Sequence, residues 1–376
     1  MTVTTRAAVL RQQGGARPYN ETRPLAIETF SLTAPQQGEL LVRIRAAGLC
    51  HSDLSTINGN RPRPMPMVLG HEAAGEVVDV GPGVTRFTTG DHVVMSFLPS
   101  CGACPQCMGG HAALCGPGSA ANGKGVLLNG ERHLHQQDIP VNHHLGVSGF
   151  SEYAVVSERS AVKIDDDVPF DIAAVFGCAV LTGAGAVIHT ARLRAGQTVL
   201  IVGLGGVGLA ALLAARAAGA RQILVADIDA EKIDRALVLG ADHGVRSDAE
   251  NGLEELLERC PGGVDVAADF SGAAVALEFA YAATAVGGTT VSAGLPHPDA
   301  RISISPSQLV VEERKLLGSY LGGHVPALDI KEYIALYKAG RLPVDELITH
   351  RIGLDDINEG FERLARGEAI RQIIML

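Results

Sequence analysis

The sequence lacks any long run of one charge sign. Its 31 Lys and Arg against 41 Asp and Glu leave a formal net charge of −10, and both signs are scattered. With no basic stripe, neither nucleic acid nor an anionic membrane surface is an expected partner. The N-terminal stretch MTVTTRAAVLRQQGG has no apolar block of the kind a secretory leader carries. There is no low-complexity linker, and no repeat at a solenoid period. Two uncharged stretches, from Ile172 to Ile188 and from Val199 to Ala215, approach membrane-spanning length. The second is interrupted by Gly203, Gly205, Gly206 and Gly208, which suits a buried strand, a tight turn and a helix better than one span. A soluble cytoplasmic protein is the expectation.

What the chain does have is length and an apolar interior. At 376 residues, 47% of them hydrophobic, two domains with sizeable cores are expected. The first third reads as short strands, among them Leu40 to Ile44, Glu76 to Val80 and His92 to Ser96, broken by Gly, Pro and Asp. The middle alternates strands and helices. Val199 to Val202 is followed by a helix from Leu209 to Ala218, then Gln222 to Ala226 and a helix from Glu231 to Leu239. Gly219 and Gly240 stand as the helix stops. Val264 to Phe270 and Thr289 to Ala293 read as further strands. Such alternation predicts a parallel sheet. A helix from about Ile330 to Lys338 and a final strand in RQIIML complete the pattern.

The segment from Val199 to Gly208 carries G-x-G-x-x-G between a strand and a helix. Gly203 permits the tight turn, Gly205 allows a pyrophosphate to approach the backbone, and Gly208 allows close helix–strand packing. Gly206 and Val207 complete a turn whose N–H groups face an anion at the helix start. Asp227 follows at the end of the next strand, where an acid accepts from ribose hydroxyls and repels a 2′-phosphate, so NAD is favoured over NADP. Lys232, one helical turn on, is open to two readings: a contact to the adenosine ribose, or a solvated helix charge.

Seven cysteines are present, and Cys101, Cys104, Cys107 and Cys115 lie within fifteen residues of one another. Four thiolates at this spacing can close a tetrahedral shell around a structural zinc. In the expected cytosolic compartment, that reading outweighs disulfides. Cys50, His71 and Cys178 form a second candidate set: two sulfurs and one imidazole are the donors of an open catalytic zinc site. Spacing alone does not group these three.

Taken in order, GLCHSD, GHEAAGEV, the four-cysteine lobe, GC-x-x-x-TG, GLGGVG and the late ITH, INEGFERL and GEAIR segments resemble the zinc-containing alcohol dehydrogenases of the medium-chain dehydrogenase superfamily. The long stretch from Cys115 to Phe150 resembles the longer-lobed branch, with the liver-type and formaldehyde dehydrogenases. The resemblance covers nearly the whole chain. It implies an α/β plus β fold: a GroES-like β-barrel catalytic domain of residues 1–179 and 323–376, with a Rossmann domain of residues 180–322 inserted.

The resemblance also implies roles. Cys50, His71 and Cys178 hold the catalytic zinc, Asp53 orients His71, and Glu72 lies behind the metal. Ser52 accepts the alcohol proton and His51 faces the cofactor pyrophosphate. Thr182 touches the nicotinamide, Arg371 reaches the cofactor phosphates or Glu72, and Phe97 and Phe150 line the substrate pocket. Two zinc ions and NAD per subunit, a small alcohol or aldehyde substrate, and a homodimer (with a tetramer as alternative) follow.

Two departures stand out. Ser55 occupies the position where liver-type enzymes carry a proton-relaying histidine. The segment from Leu54 to Gly70 holds Arg61 and Arg63 but no carboxylate, unlike the glutathione-dependent formaldehyde enzymes. A thiol-conjugate formaldehyde dehydrogenase and a non-catalytic zinc- and NAD-binding protein are the alternative functions. His143 and His144 are expected to form hydrogen bonds at the lobe edge rather than to bind metal, and Cys260 is expected to have no role.

Overall fold

The computed structural model describes residues 2–376. The chain divides into two units. The first comprises the chain up to Cys178 together with Asp345–Leu376, and the second is Ala179–Val344. The second boundary thus falls at 345 rather than 323. Residues 323–344 go with the second unit because the helix Pro326–Lys338 packs there, against the helical turn Leu181–Gly185.

The first unit is built on two sheets. Strand Glu39–Gly48 is central to the larger one, antiparallel to Glu72–Val80 on one side and to Tyr153–Ser157 and Arg371–Met375 on the other. Its sequence ELLVRIRAAG has apolar residues at consecutive positions because both of its faces are covered. Leu40, Val42 and Ile44 enter one core with Phe150 and Phe361, and Leu41 enters another with Phe30 and Val155. The smaller sheet pairs Val3–Leu10 with Leu25–Leu32 and adds four short strands.

The second unit holds a six-stranded sheet, parallel throughout. Its order is His243–Arg246, Gln222–Asp227, Thr198–Val202, Val264–Asp269, Thr284–Ser292 and Lys315–Gly318. Numbered along the chain this is 3-2-1-4-5-6, the doubly wound order of dinucleotide-binding domains. The central strand TVLIV is buried at every position, as a parallel strand covered on both faces must be.

The apolar run first met at Ile172 belongs to one continuous helical stretch, Phe170–Thr190. It is long and apolar enough to cross a membrane, but 83% of its most apolar window is buried inside the protein. It is a core helix whose hydrophobicity is spent on packing.

The N-terminal segment is tied to the C-terminal helix Ile357–Arg366 through the buried carboxylate of Glu362. Arg17 Nη2 and Arg366 Nε donate to its Oε1 at 2.8 and 3.0 Å, and the Tyr19 amide donates to Oε2 at 2.9 Å. The hydrogen bond from Arg17, followed by that from Tyr19, pulls the Glu362 pKa from 4.5 down to about 2. The folded-state value is depressed, so the stabilisation is complete above about pH 4.5 and is lost as pH falls toward 2. Glu362→Gln should cost about 1.5–3 kcal/mol at neutral pH. Urea unfolding at a series of pH values checks this: the gap between wild type and variant should close on acidification.

Candidate active site and metal centres

The helix His51–Ile57 begins directly after Cys50, whose extended backbone ends the strand-side segment. Its first turn delivers Ser52 and Asp53. The sharp turn at Gly70 then brings His71 and Glu72 to the start of the neighbouring strand. Cys178 comes from the helical stretch Phe170–Thr190. One ligand atom each of Cys50, His71 and Cys178 lies within 4.8 Å of the others, and all three residues are buried.

Two observations test whether these residues fit a zinc ion. His71 Nδ1 is hydrogen-bonded to Asp53 Oδ1 at 3.0 Å, which fixes the ring and leaves Nε2 for the metal. That Nε2 is buried and has no hydrogen-bond partner, a costly state unless a cation completes it. The thiols of Cys50 and Cys178 act strongly on one another. A hydrogen bond from Cys178 holds Cys50 well below the usual thiol range, and the same interaction pushes Cys178 well above it. Burial opposes charge on His71, but Asp53 and then Cys50 outweigh it and raise its pKa well above the usual value.

Behind this set lies Glu72, fully buried, with Arg371 Nη1 3.5 Å from its Oε2. Burial lifts its pKa to about 7, although Arg371 works in the opposite direction. Room for the carboxylate exists because residue 48 is glycine: a Cβ there would overlap Glu72 Oε1. Arg371 also donates to the Leu49 carbonyl at 3.3 Å.

Phe97 meets His71 edge-on, with centroids 5.4 Å apart. Phe150 does not join it. Its ring is fully buried in the β core against Phe361, at 6.0 Å, so its reading as a pocket wall gives way to core packing. The residue that sequence reasoning missed is His144. It is 1% exposed, its Nδ1 lies 3.2 Å from Asp53 Oδ1, and its ring packs edge-on to His71 at 5.7 Å. No spacing rule links His144 to Asp53; only the chain's return past Gly70 does. Its neighbour His143 instead accepts from the His133 amide at 3.2 Å.

The structure brings the four cysteines of the lobe together. Cys101, Cys104, Cys107 and Cys115 each present a sulfur within 4.8 Å of the others, and all are free thiols. Cys104 and Cys115 Sγ are 4.0 Å apart, close to the ~3.8 Å that two thiolates span across a tetrahedral zinc with 2.3 Å bonds. Backbone N–H groups point at the sulfurs: Cys101 N at Cys115 Sγ (3.2 Å), Cys104 N at Cys101 Sγ (3.3 Å) and Gly118 N at Cys115 Sγ (3.4 Å). Such donors favour thiolates. The Cys107 amide is the main reason the Cys104 pKa falls to about 6, whereas burial pushes Cys107 to about 12.

In the second unit, the strand Thr198–Val202 turns at Gly203 into the helix Gly206–Ala217. Gly203 has φ +86°, and a Cβ on it would stand 2.6 Å from the Ser271 amide; a Cβ on Gly208 would overlap the Gly203 carbonyl. Gly205 differs, since a side chain there would meet nothing within 4 Å. The fold itself makes no demand for glycine at that position. No side chain caps this helix, so its first N–H groups remain available to an anion. Asp227 Oδ2 accepts from the Leu204 amide at 2.6 Å and Oδ1 from Asp229 at 3.1 Å, with acceptor capacity left over. Val207 sits in the first turn of the helix, and Lys232 lies 3.8 Å from Asp229. Thr182 follows Cys178 by about one helical turn, and His51 stands exposed at the start of its helix.

Comparison with known proteins agrees with this chemistry. Residues 36–166 match the alcohol dehydrogenase GroES-like domain, and residues 206–339 match the zinc-binding dehydrogenase domain. The S-(hydroxymethyl)glutathione dehydrogenase of Paracoccus denitrificans is 36% identical, with 99% of each chain covered. The NDMA-dependent alcohol dehydrogenase of Amycolatopsis methanolica is 37% identical, covering 99% of this chain and 98% of its own. The crystal structure of benzyl alcohol dehydrogenase from Acinetobacter calcoaceticus superposes with a TM-score of 0.92 at 31% identity, covering 100% of this chain and 99% of that one. The chain belongs to the zinc-dependent alcohol dehydrogenases of the medium-chain dehydrogenase superfamily. It is therefore an oxidoreductase acting on small molecules.

Asp53→Asn keeps the size of the side chain but removes the charge that holds His71 in place. Zinc affinity at the Cys50 set should fall about 10- to 100-fold, measured by competition with a chromogenic chelator. Unchanged retention would contradict the positioning role.

Proposed function

We propose that this protein is an NAD-dependent alcohol dehydrogenase carrying one catalytic and one structural zinc per subunit. Its substrates are alcohols, chiefly primary aliphatic, allylic or aromatic ones, interconverted with aldehydes, or with ketones where the alcohol is secondary. The observation that carries this reading is the buried, unpartnered Nε2 of His71 directed toward two cysteine thiols. A sensor or scaffold has no need of an open three-ligand shell, whereas alcohol oxidation does.

Zinc held by Cys50, His71 and Cys178 supplies Lewis acidity that eases alcohol deprotonation and polarises a carbonyl, and NAD supplies the hydride acceptor. The chain's own residues do the rest. Asp53, with His144 beside it, holds His71 in the tautomer that offers Nε2. Phe97 excludes water from one side of the imidazole. Ser52, in the first turn of its helix, takes the alcohol proton. Ser55 cannot relay it as an imidazole does, so the exposed His51 is the group that passes it to solvent. Glu72, paired with Arg371, stands behind the ligands as a carboxylate able to offset the metal's charge.

For the cofactor, Gly203, Gly205, Gly206, Val207 and Gly208 cradle the pyrophosphate on the uncapped helix start. Asp227 accepts from the ribose hydroxyls, and its charge selects NAD against NADP. Lys232 and Thr182, in the same unit, complete the cofactor contacts there. A homodimer is part of the proposal, supported by the unpaired outer edge of strand Lys315–Gly318 and by Val310, Val311 and Val286, each more than 70% exposed. A cytoplasmic location fits a cluster of reduced cysteines.

A second reading, oxidation of a formaldehyde–thiol conjugate, is favoured by the identity of the Paracoccus relative. The absence of carboxylates between Leu54 and Gly70 argues against glutathione as the carrier.

The test follows reduction of NAD and NADP in parallel across a panel of alcohols, and with formaldehyde with and without glutathione, before and after chelation. Zinc-dependent reduction of NAD by free alcohols is expected. Cys50→Ala should abolish turnover while NADH still binds. Activity only with the thiol conjugate would favour the second reading. Silence on every substrate, with two zinc ions and NADH bound, would favour a non-catalytic role.

A further inference from the structure

A third cluster of metal-binding side chains lies wholly within the second unit and shares no residue with the two cysteine sets. His189 comes from the last turn of the helical stretch Phe170–Thr190. His324 follows the short turn Leu321–Gly323, and Asp329 lies in the first turn of the helix Pro326–Lys338. One ligand atom from each lies within 4.8 Å of the others. Asp329 is 0% exposed. Its Oδ1 accepts from His324 Nδ1 at 2.7 Å and lies 3.4 Å from His189 Nε2. Its Oδ2 is buried and has no partner. The two imidazoles stack with centroids 4.3 Å apart and planes 20° apart.

This arrangement is held from outside. Gly185 and Gly322 pack backbone to backbone, so that a Cβ on Gly185 would overlap the Gly322 Cα. Thr190 and Ser319 hydroxyls bond across the same two segments at 2.9 Å. The helix end and the loop are thereby clamped at a fixed spacing before any ligand binds.

Protons alone serve this cluster poorly. A buried carboxylate with one orphaned oxygen is expensive. Two stacked imidazoles cannot both carry positive charge at 4.3 Å without strong repulsion. A divalent cation removes both difficulties: it engages one nitrogen of each ring and the carboxylate without placing a charge on either imidazole. We propose that His189 Nε2, His324 Nδ1 and Asp329 form a third divalent-metal site of zinc type, with water completing the shell. Two imidazoles and a carboxylate are donors suited to Zn2+ and its borderline neighbours. His324, whose side chain is 40% exposed, gives the ion its way in. The ion takes His324 as the neutral tautomer, with Nδ1 free to bind and the ring proton on Nε2. The bound ion would staple the helix end carrying His189 to the loop that precedes Pro326–Lys338.

The test is elemental analysis of tag-free holoenzyme passed through gel filtration in micromolar free zinc, with calorimetric zinc titration of the same holoenzyme. Three zinc ions per chain are expected for wild type, the last being the exchangeable one. His324→Gln, on a partly exposed side chain that costs little packing, should bring the count to two and abolish the titration heat. Asp329→Asn should do the same, and if that buried change prevents folding, His324→Gln carries the result alone. A wild-type count of two with no titration heat, or a third zinc that persists in His324→Gln, would overturn the proposal. Cys104→Ser, which addresses the cysteine lobe, should lower the count independently without removing the exchangeable ion.

Discussion

The Asp53–His71 hydrogen bond is the contact on which the active site depends. It commits Nδ1 of the imidazole to a carboxylate and so determines that Nε2 is the atom left over. Everything around it serves that assignment. The helix beginning at His51 brings Asp53 inward with Cys50 just before it, and Gly70 turns the chain so that His71 meets Asp53. His144 packs edge-on to His71, with Nδ1 3.2 Å from the same carboxylate oxygen. The result is an imidazole held by Asp53, with one free nitrogen and two thiols beside it. Such a donor set is incomplete without a cation, and the orphaned nitrogen shows where the incompleteness lies.

The same economy governs the second unit. The turn from Gly203 to Gly208 contains glycines required for two different reasons. Gly203 and Gly208 are demanded by the protein itself, because a side chain at either would collide with backbone. Gly205 is not demanded by the fold, since a side chain there would meet nothing within 4 Å, and that open space is what the proposed pyrophosphate contact requires.

Much of this was legible in the sequence because it is local. The glycine turn, the acid after the next strand and the four-cysteine lobe are each encoded within a few dozen residues, and periodicity sufficed to place the parallel sheet. The candidate zinc set is not local: Cys50, His71 and Cys178 come from three separate segments, and spacing alone does not group them without the family resemblance. The resemblance puts Phe150 in the pocket, but aromatic character does not reveal which face of the chain a ring occupies; the structure gives it to the core beside Phe361. His144 was set aside for the converse reason, since nothing in the sequence places it against Asp53. The family resemblance places the domain return point at about 323. The helix Pro326–Lys338 nevertheless packs with the second unit, a tertiary choice that its own sequence does not announce.

The claim that His71 offers Nε2 to a metal shared with Cys50 and Cys178 is tested most directly by anomalous X-ray diffraction at the zinc edge. The expected result is a peak bounded by Cys50 Sγ and Cys178 Sγ at about 2.3 Å and by His71 Nε2 at about 2.0 Å, with the Nδ1 contact to Asp53 retained. A density map with no metal peak at these atoms, or with the ring turned so that Nδ1 faces the sulfurs, would contradict it.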